Sequence, residues 1–242
     1  MNDASSRSDG EPHATCVIPV RDVTSPLSLD AFFDPSRPLE LEIGCGNGRF
    51  LTARAARYPA TQYLGIERML GRIRRIDRKV RRLGLTNLRV LRLEAFYTFY
   101  YLLPAHRLRA VYVLFPDPWP KRHHHNRRLF SPLFLDALWA RLQVGGSIQV
   151  ATDHLDYYHA IRKVFAADAR FREIPAMARD EAEQTDFERL FLSQGLPIGA
   201  CAYQTLPAAE RPLPPLLIPP ESEPRDHSRA HATTDCTSPE IR

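Results

Sequence analysis

No stretch of this sequence reaches the roughly 18 consecutive apolar residues that a membrane-spanning helix needs, which excludes a helical span. The segment Met1 to Thr15 is polar and lacks the apolar core of a secretory signal, so a reduced cytoplasmic compartment is expected. Cysteine is sparse: Cys16, Cys45, Cys201 and Cys236 are scattered, without C-x-x-C spacing. That pattern suits neither a zinc site nor a disulfide framework. His123-His124-His125 does not repair the deficit, because adjacent histidines on a loop cannot all aim at one ion and no suitably spaced Cys or Asp joins them. No metal is expected.

What is present is one globular domain's worth of apolar residues, 44% of 242, with a net charge of +5 that leans toward a polyanionic partner. Strands and helices alternate from Leu39 to Ala167, the pattern of a doubly wound, mainly parallel sheet. Strands are expected near 39–43, 62–66, 88–92, 110–115 and 147–152. Helices are expected near 48–58, 69–83, 95–103, 131–142 and 156–167, with Gly145-Gly146 ending the fourth crossover helix. A hairpin near 170–174 and 199–205 would complete a seven-stranded sheet. Residues 1–30 read as a disordered extension, 31–206 as the domain, and 207–242 as a Pro-rich disordered tail.

Chemistry gathers at the strand ends. Phe115-Pro116-Asp117-Pro118-Trp119-Pro120-Lys121 follows the apolar run Ala110 to Leu114. Its prolines fix φ and bias the preceding residues toward extended geometry, so one carboxylate, one indole and one ammonium are presented in narrow directions. Ligands of open α/β sheets bind beyond such strand ends. Upstream, the strand Leu39–Ile43 runs into Gly44-Cys45-Gly46-Asn47-Gly48. The dinucleotide fingerprint would need glycine at 49, where Arg49 stands. Glu42, two residues before the turn, suits a cofactor with a cationic amino-acid end better than a pyrophosphate. Glu67 at the second strand's tip can accept from ribose hydroxyls, and Glu94 after the third can receive an adenine amino group. Acids at three successive strand ends beside a glycine turn point to an adenosine-type cofactor.

These residues, together with Leu64-Gly65-Ile66-Glu67, Ala151-Thr152-Asp153 and Thr185-Asp186-Phe187-Glu188, resemble the tRNA (guanine-N7)-methyltransferases over roughly Leu39 to Gln204. The resemblance implies a Rossmann-like class I S-adenosylmethionine-dependent fold, S-adenosylmethionine as cofactor, and methylation of guanosine in tRNA at position 46 of the variable loop. It implies cofactor contacts from Glu42, Gly44, Gly46, Glu67, Glu94 and Asp117, and substrate contacts from Lys121, Asp153, Thr185 and Glu188. Guanine N7 carries an in-plane lone pair and needs no base. Catalysis then asks for alignment and for a negative group near the migrating charge, a role assigned to Asp117. Thr185 and Glu188 also fit a capping box, and Trp119 can stack on a base or fill its turn.

Basic residues mark the RNA side. His123, His124, Arg127 and Arg128 follow Lys121, while His123 and Asn126 stand where the family commonly carries Arg and Lys. A second basic face runs from Arg68 to Arg82 on an amphipathic helix with Met69, Ile73, Ile76, Val80 and Leu83 inward. The expected assembly is a monomer or weak homodimer. Two alternatives stay open: a related methyltransferase for another RNA or a protein amide, and a tRNA-binding protein that has lost catalysis.

Overall fold

The computed structural model describes residues 15–207. The seven strands are β1 (Leu39–Ile43), β2 (Gln62–Ile66), β3 (Leu88–Leu91), β4 (Leu108–Leu114), β5 (Leu142–Thr152), β6 (Phe171–Ile174) and β7 (Gly199–Thr205). They form one sheet in the order β3-β2-β1-β4-β5-β7-β6. Pairing is parallel from β3 to β5, and β7 joins antiparallel to both β5 and β6. β1 and β2 are buried along their whole length, as expected of strands covered on both faces.

The helices are α1 (Arg49–Arg57), α2 (Leu70–Arg82), the single turn α3 (Ala95–Tyr97), α4 (Pro132–Arg141), α5 (Leu155–Ala166) and α6 (Asp186–Ser193). On α2, Ile73, Ile76 and Val80 are buried against the sheet, whereas Met69 and Leu83, expected on the same face, flank the helix and are exposed. The larger core cluster packs α4 and α5 through Phe134, Leu138, Tyr157 and Phe165.

Three expectations are corrected. The helix expected over 95–103 is one α-turn followed by a wider π-type turn, Thr98–Leu102, because the Thr98 hydroxyl donates back to the Glu94 carbonyl (2.6 Å) and Leu103 N–H reaches the Thr98 carbonyl (3.1 Å). Gly145 and Gly146 do not end α4. That helix stops at Arg141, whose guanidinium bonds the Phe99 and Tyr100 carbonyls, and the glycines lie inside β5. There the β4–β5 register shifts between Leu108 and Ala110. Gly145 has φ +74°, and a Cβ on Gly146 would stand 2.9 Å from the Gln143 carbonyl oxygen. The bulge needs both to be glycine.

The third concerns the N-terminal extension expected over 1–30. From Thr15 onward it packs on the domain: Val17 bridges Val90, Ile18 N–H donates to the Val90 carbonyl, and Val90 N–H to that of Cys16, both at 2.9 Å. The Asp77 carboxylate accepts from Cys16 N–H (2.8 Å) and the Thr15 hydroxyl (2.9 Å). β3 would otherwise present an open edge, and this segment covers it. The tail expected from 207 lies almost wholly outside the described residues.

Gly146→Ala forces a methyl against backbone oxygens of Gln143, Leu108 and Arg109. It is expected to lower unfolding stability by about 1–3 kcal/mol, the range for overpacking, read as a lower denaturation midpoint in urea.

Candidate active site

The strand order reverses direction at β1, between β2 and β4, and in open α/β sheets ligands bind beyond the carboxyl ends at such a point. The turn after β1 lines one side. Gly44, Gly46 and Gly48 have φ of +71°, +54° and +69°, a left-handed path that side chains disfavour. Gly44 and Cys45 N–H groups both donate to the Ile66 carbonyl, at 2.9 and 3.1 Å, tying the turn to β2. The Glu67 carboxylate completes the clamp, accepting from Gly46 N–H (3.1 Å), Met69 N–H (2.8 Å) and Arg72 (3.4 Å).

Glu42 lies on β1 opposite Gly65 of β2 and Tyr112 of β4. It is 3% exposed, and its Oε2 has no hydrogen-bond partner among the described residues. Burial pushes its carboxyl up to about 8, with Arg179 pulling it down and Glu67 pushing it further up. An unsatisfied buried carboxylate oxygen is costly unless something fills it. A cationic amine is the partner whose chemistry fits.

The turn after β4 forms the facing wall. Phe115 and Trp119 adopt φ of +57° and +42°, both rare for bulky residues. The strain is held from several sides. Phe115 N–H donates to Ala151 (2.7 Å), its ring packs on Phe191, and Arg128 Nε donates to the Pro118 carbonyl (2.8 Å) while its guanidinium lies over Tyr157. Asp117, between the two strained residues, is exposed, as is Lys121. Asp153 follows the end of β5 and is half-buried.

Several expected site residues also make structural contacts. Glu94 caps α3, accepting from Phe96 N–H (3.0 Å) and Tyr97 N–H (2.7 Å), so any adenine contact must share an occupied carboxylate. The Thr185 hydroxyl caps α6 through Glu188 N–H (3.0 Å). Glu188 does not close a capping box: its carboxylate is 6% exposed and chelated by Arg179 at 2.8 Å through both Nε and Nη2. Residues Lys121 to Arg128 include a 3₁₀ segment, Arg122–Arg127, that sequence patterning does not signal. In it Arg127 lies over the Trp119 ring at 4.9 Å and His124 packs edge-on against the same indole, whereas His123 is exposed. Arg128 is a strut of the turn rather than a free cation.

The connector from β6 to α6, residues 175–185, roofs α1. Arg49 donates to the Gln184 carbonyl (3.0 Å), Arg54 pairs with Glu183 (3.3 Å) and Glu40 (3.4 Å), and Arg57 pairs with Asp180. Arg179 belongs to this connector. No local pattern marks it; only the fold brings its charge to bear on Glu42.

A glycine turn, strand-end acids and a strained acidic turn across the topological switch point define a class I methyltransferase. The crystal structure of a 16S rRNA methyltransferase, KamB, has the same fold, with a TM-score of 0.56 over 74% of this chain and 93% of that one at 18% identity. A family model described as "Putative methyltransferase" matches residues 36–200. The tRNA (guanine-N(7)-)-methyltransferase of Halorhodospira halophila is 36% identical over 198 residues, 78% of this chain and 83% of that protein. That of Nitrosococcus oceani is 36% identical over 173 residues, 71% of this chain and 73% of its own length. The chain belongs to the tRNA (guanine-N(7)-)-methyltransferase family.

Burial of Glu42 has a consequence for stability. With its folded value near 8 and its ordinary value 4.5, the folded state holds the proton longer than the unfolded state. Its contribution is therefore intact below about pH 4.5, falls as pH rises toward 8, and levels above that. Glu42→Gln is expected to match the parent near pH 4.5 and exceed it at pH 8, measured as the difference in denaturation midpoint at the two pH values. A difference independent of pH would mean that Glu42 is ionised throughout.

Proposed function

We propose that this protein transfers a methyl group from S-adenosylmethionine to N7 of guanosine in tRNA, at position 46 of the variable loop. The observation that carries the reading is the unpartnered Oε2 of buried Glu42, on the strand that leads into the glycine turn and is paired with the strand that ends in the strained Asp117 turn. The cofactor supplies an electrophilic methyl on a sulfonium. Glu42 accepts its ammonium, and the Glu67 carboxylate has lone pairs left for ribose hydroxyls beyond the N–H groups it already binds. Gly44 and Gly46 keep the turn low enough for close approach. Glu94 contributes at the adenine end through the face of its carboxylate not used in capping.

On the substrate side, Asp153 accepts from the N1–H and N2–H edge of guanine and Lys121 neutralises a phosphate. No residue has to remove a proton from N7. Positive charge passes to the purine ring during transfer, and Asp117, fixed by its strained neighbours, stabilises it without reorganising. Thr185 and Glu188 serve the site by holding α6 and Arg179 in place. His123, His124, Arg127 and the exposed side of α2 meet RNA phosphates, which position the substrate without reading its sequence. The enzyme acts in the cytoplasm as a monomer or weak homodimer.

The direct test is incubation with a tRNA transcript and labelled S-adenosylmethionine, followed by mapping of chain cleavage at N7-methylguanosine. Label at another atom, or none, would reject the assignment. Asp117→Asn keeps the shape and removes the charge, so single-turnover methylation is expected to slow by roughly 100-fold or more, with tRNA affinity largely kept. His123→Arg combined with Asn126→Lys is expected to tighten tRNA binding and steepen its salt dependence, with guanosine preference unaltered. Equal affinity of the double variant and the parent at low and moderate salt would remove this loop from the RNA surface.

A further inference from the structure

Behind the glycine turn, two buried carboxyl groups share one guanidinium. Glu42 and Glu188 are both nearly inaccessible, and one guanidinium, that of Arg179, acts on both. Arg179 is itself buried, its side chain 5% exposed. Burying a guanidinium in a connector is expensive, and Glu188 alone compensates it fully through a bidentate pair. That pair explains how Arg179 is held, but not why it is held beside Glu42. Nε and Nη2 are engaged by Glu188, and Nη1 has no hydrogen-bond partner among the described residues. Asn47 of the glycine turn donates to Asp186 (3.2 Å), which sets the start of α6, and with it the Glu188–Arg179 pair, against that turn. The site thus offers an unsatisfied acceptor, Glu42 Oε2, and a guanidinium edge, Arg179 Nη1, that Glu188 does not engage. An α-amino acid zwitterion carries the complementary pair, an ammonium and a carboxylate on one carbon.

We infer that Arg179 binds the carboxylate of the cofactor's amino-acid end while Glu42 takes the ammonium, with Glu188 as the positioning residue that aims the guanidinium. The inference rests on the cofactor reading above. The placement is rigid, because the connector that carries Arg179 is fastened to α1 by Arg49, Arg54 and Arg57 and to β5 by Met177 N–H on Gln149 (2.9 Å). Charge matching follows: the ammonium neutralises Glu42 and the carboxylate shares Arg179 with Glu188, so neither is left alone in a dry pocket. The pocket then distinguishes a complete amino acid from fragments of it.

Calorimetry on the full chain with three ligands tests this: S-adenosylmethionine, its decarboxylated form, which keeps the ammonium, and 5′-methylthioadenosine, which lacks both groups. The parent is expected to bind the decarboxylated form 10- to 100-fold more weakly than S-adenosylmethionine. Arg179→Gln is expected to lose that discrimination, binding S-adenosylmethionine as weakly as the parent binds the decarboxylated form, with 5′-methylthioadenosine unaffected. Equal affinity of the parent for the first two ligands overturns the inference. So does an Arg179→Gln that weakens all three alike, the mark of a purely structural residue. Where Arg179→Gln fails to fold, Arg179→Lys decides: discrimination reduced severalfold supports the assignment, and affinities unchanged for all three ligands refute it. Failure of the parent to bind any of the three would instead reject the cofactor reading itself, whereas binding of 5′-methylthioadenosine with no carboxylate effect rejects only the role of Arg179.

Discussion

A carboxylate buried at the end of a central parallel strand, with one oxygen unsatisfied, is the constraint around which this structure is arranged. Glu42 sits where β1 is flanked on both sides, so water cannot solvate it. Desolvation opposes its charge. The remaining features either lower that cost or make use of it. The glycine turn keeps side chains out of the space next to it, Glu67 fastens that turn to β2, and Arg179 brings a positive charge within reach.

Holding Arg179 in place takes a second polar layer under the connector. Glu40, two residues before Glu42 on the same face of β1, accepts from the Tyr112 hydroxyl (2.8 Å) and pairs with Arg54, which in turn pairs with Glu183 of the connector. Arg54 also lies over the Tyr58 ring at 4.7 Å. The connector is therefore anchored to the sheet through ion pairs that compensate one another's charge, although Arg54 Nε has no hydrogen-bond partner among the described residues. In the turn after β4 the anchoring is different. Phe115 and Trp119 hold unfavourable φ values, and packing against Phe191, His124 and Arg127 with the Arg128 strut maintains them. One wall is built from compensated charge and the other from braced strain.

Much of this is legible in the sequence alone. Strand positions followed from short β-branched and aromatic runs, and the acids at the ends of β1, β2 and β3 were visible as Glu42, Glu67 and Glu94. The Phe115–Lys121 string announced a rigid turn bearing Asp117. What failed were local readings that a tertiary contact overrode. Gly145-Gly146 looked like a helix stop, but it serves a bulge where β4 and β5 fall out of register. The polar composition of the first thirty residues suggested an extension, yet the unpaired edge of β3 gives Cys16 and Ile18 backbone partners. Arg128, expected at the RNA surface, also braces the turn through the Pro118 carbonyl and the Tyr157 ring, a role no local pattern shows.

By itself the sequence determined the alternation of strands and helices, the family, and which residue types stand at the strand ends, since periodicity, glycine spacing and proline act over a few neighbours. Only the tertiary structure decided that Glu188 is held by Arg179, that Glu94 and Thr185 cap helices, and that Arg179 stands by Glu42. Those facts depend on pairs distant along the chain and on which carboxylates lose their water. Desolvation belongs to the folded molecule and to no segment of it.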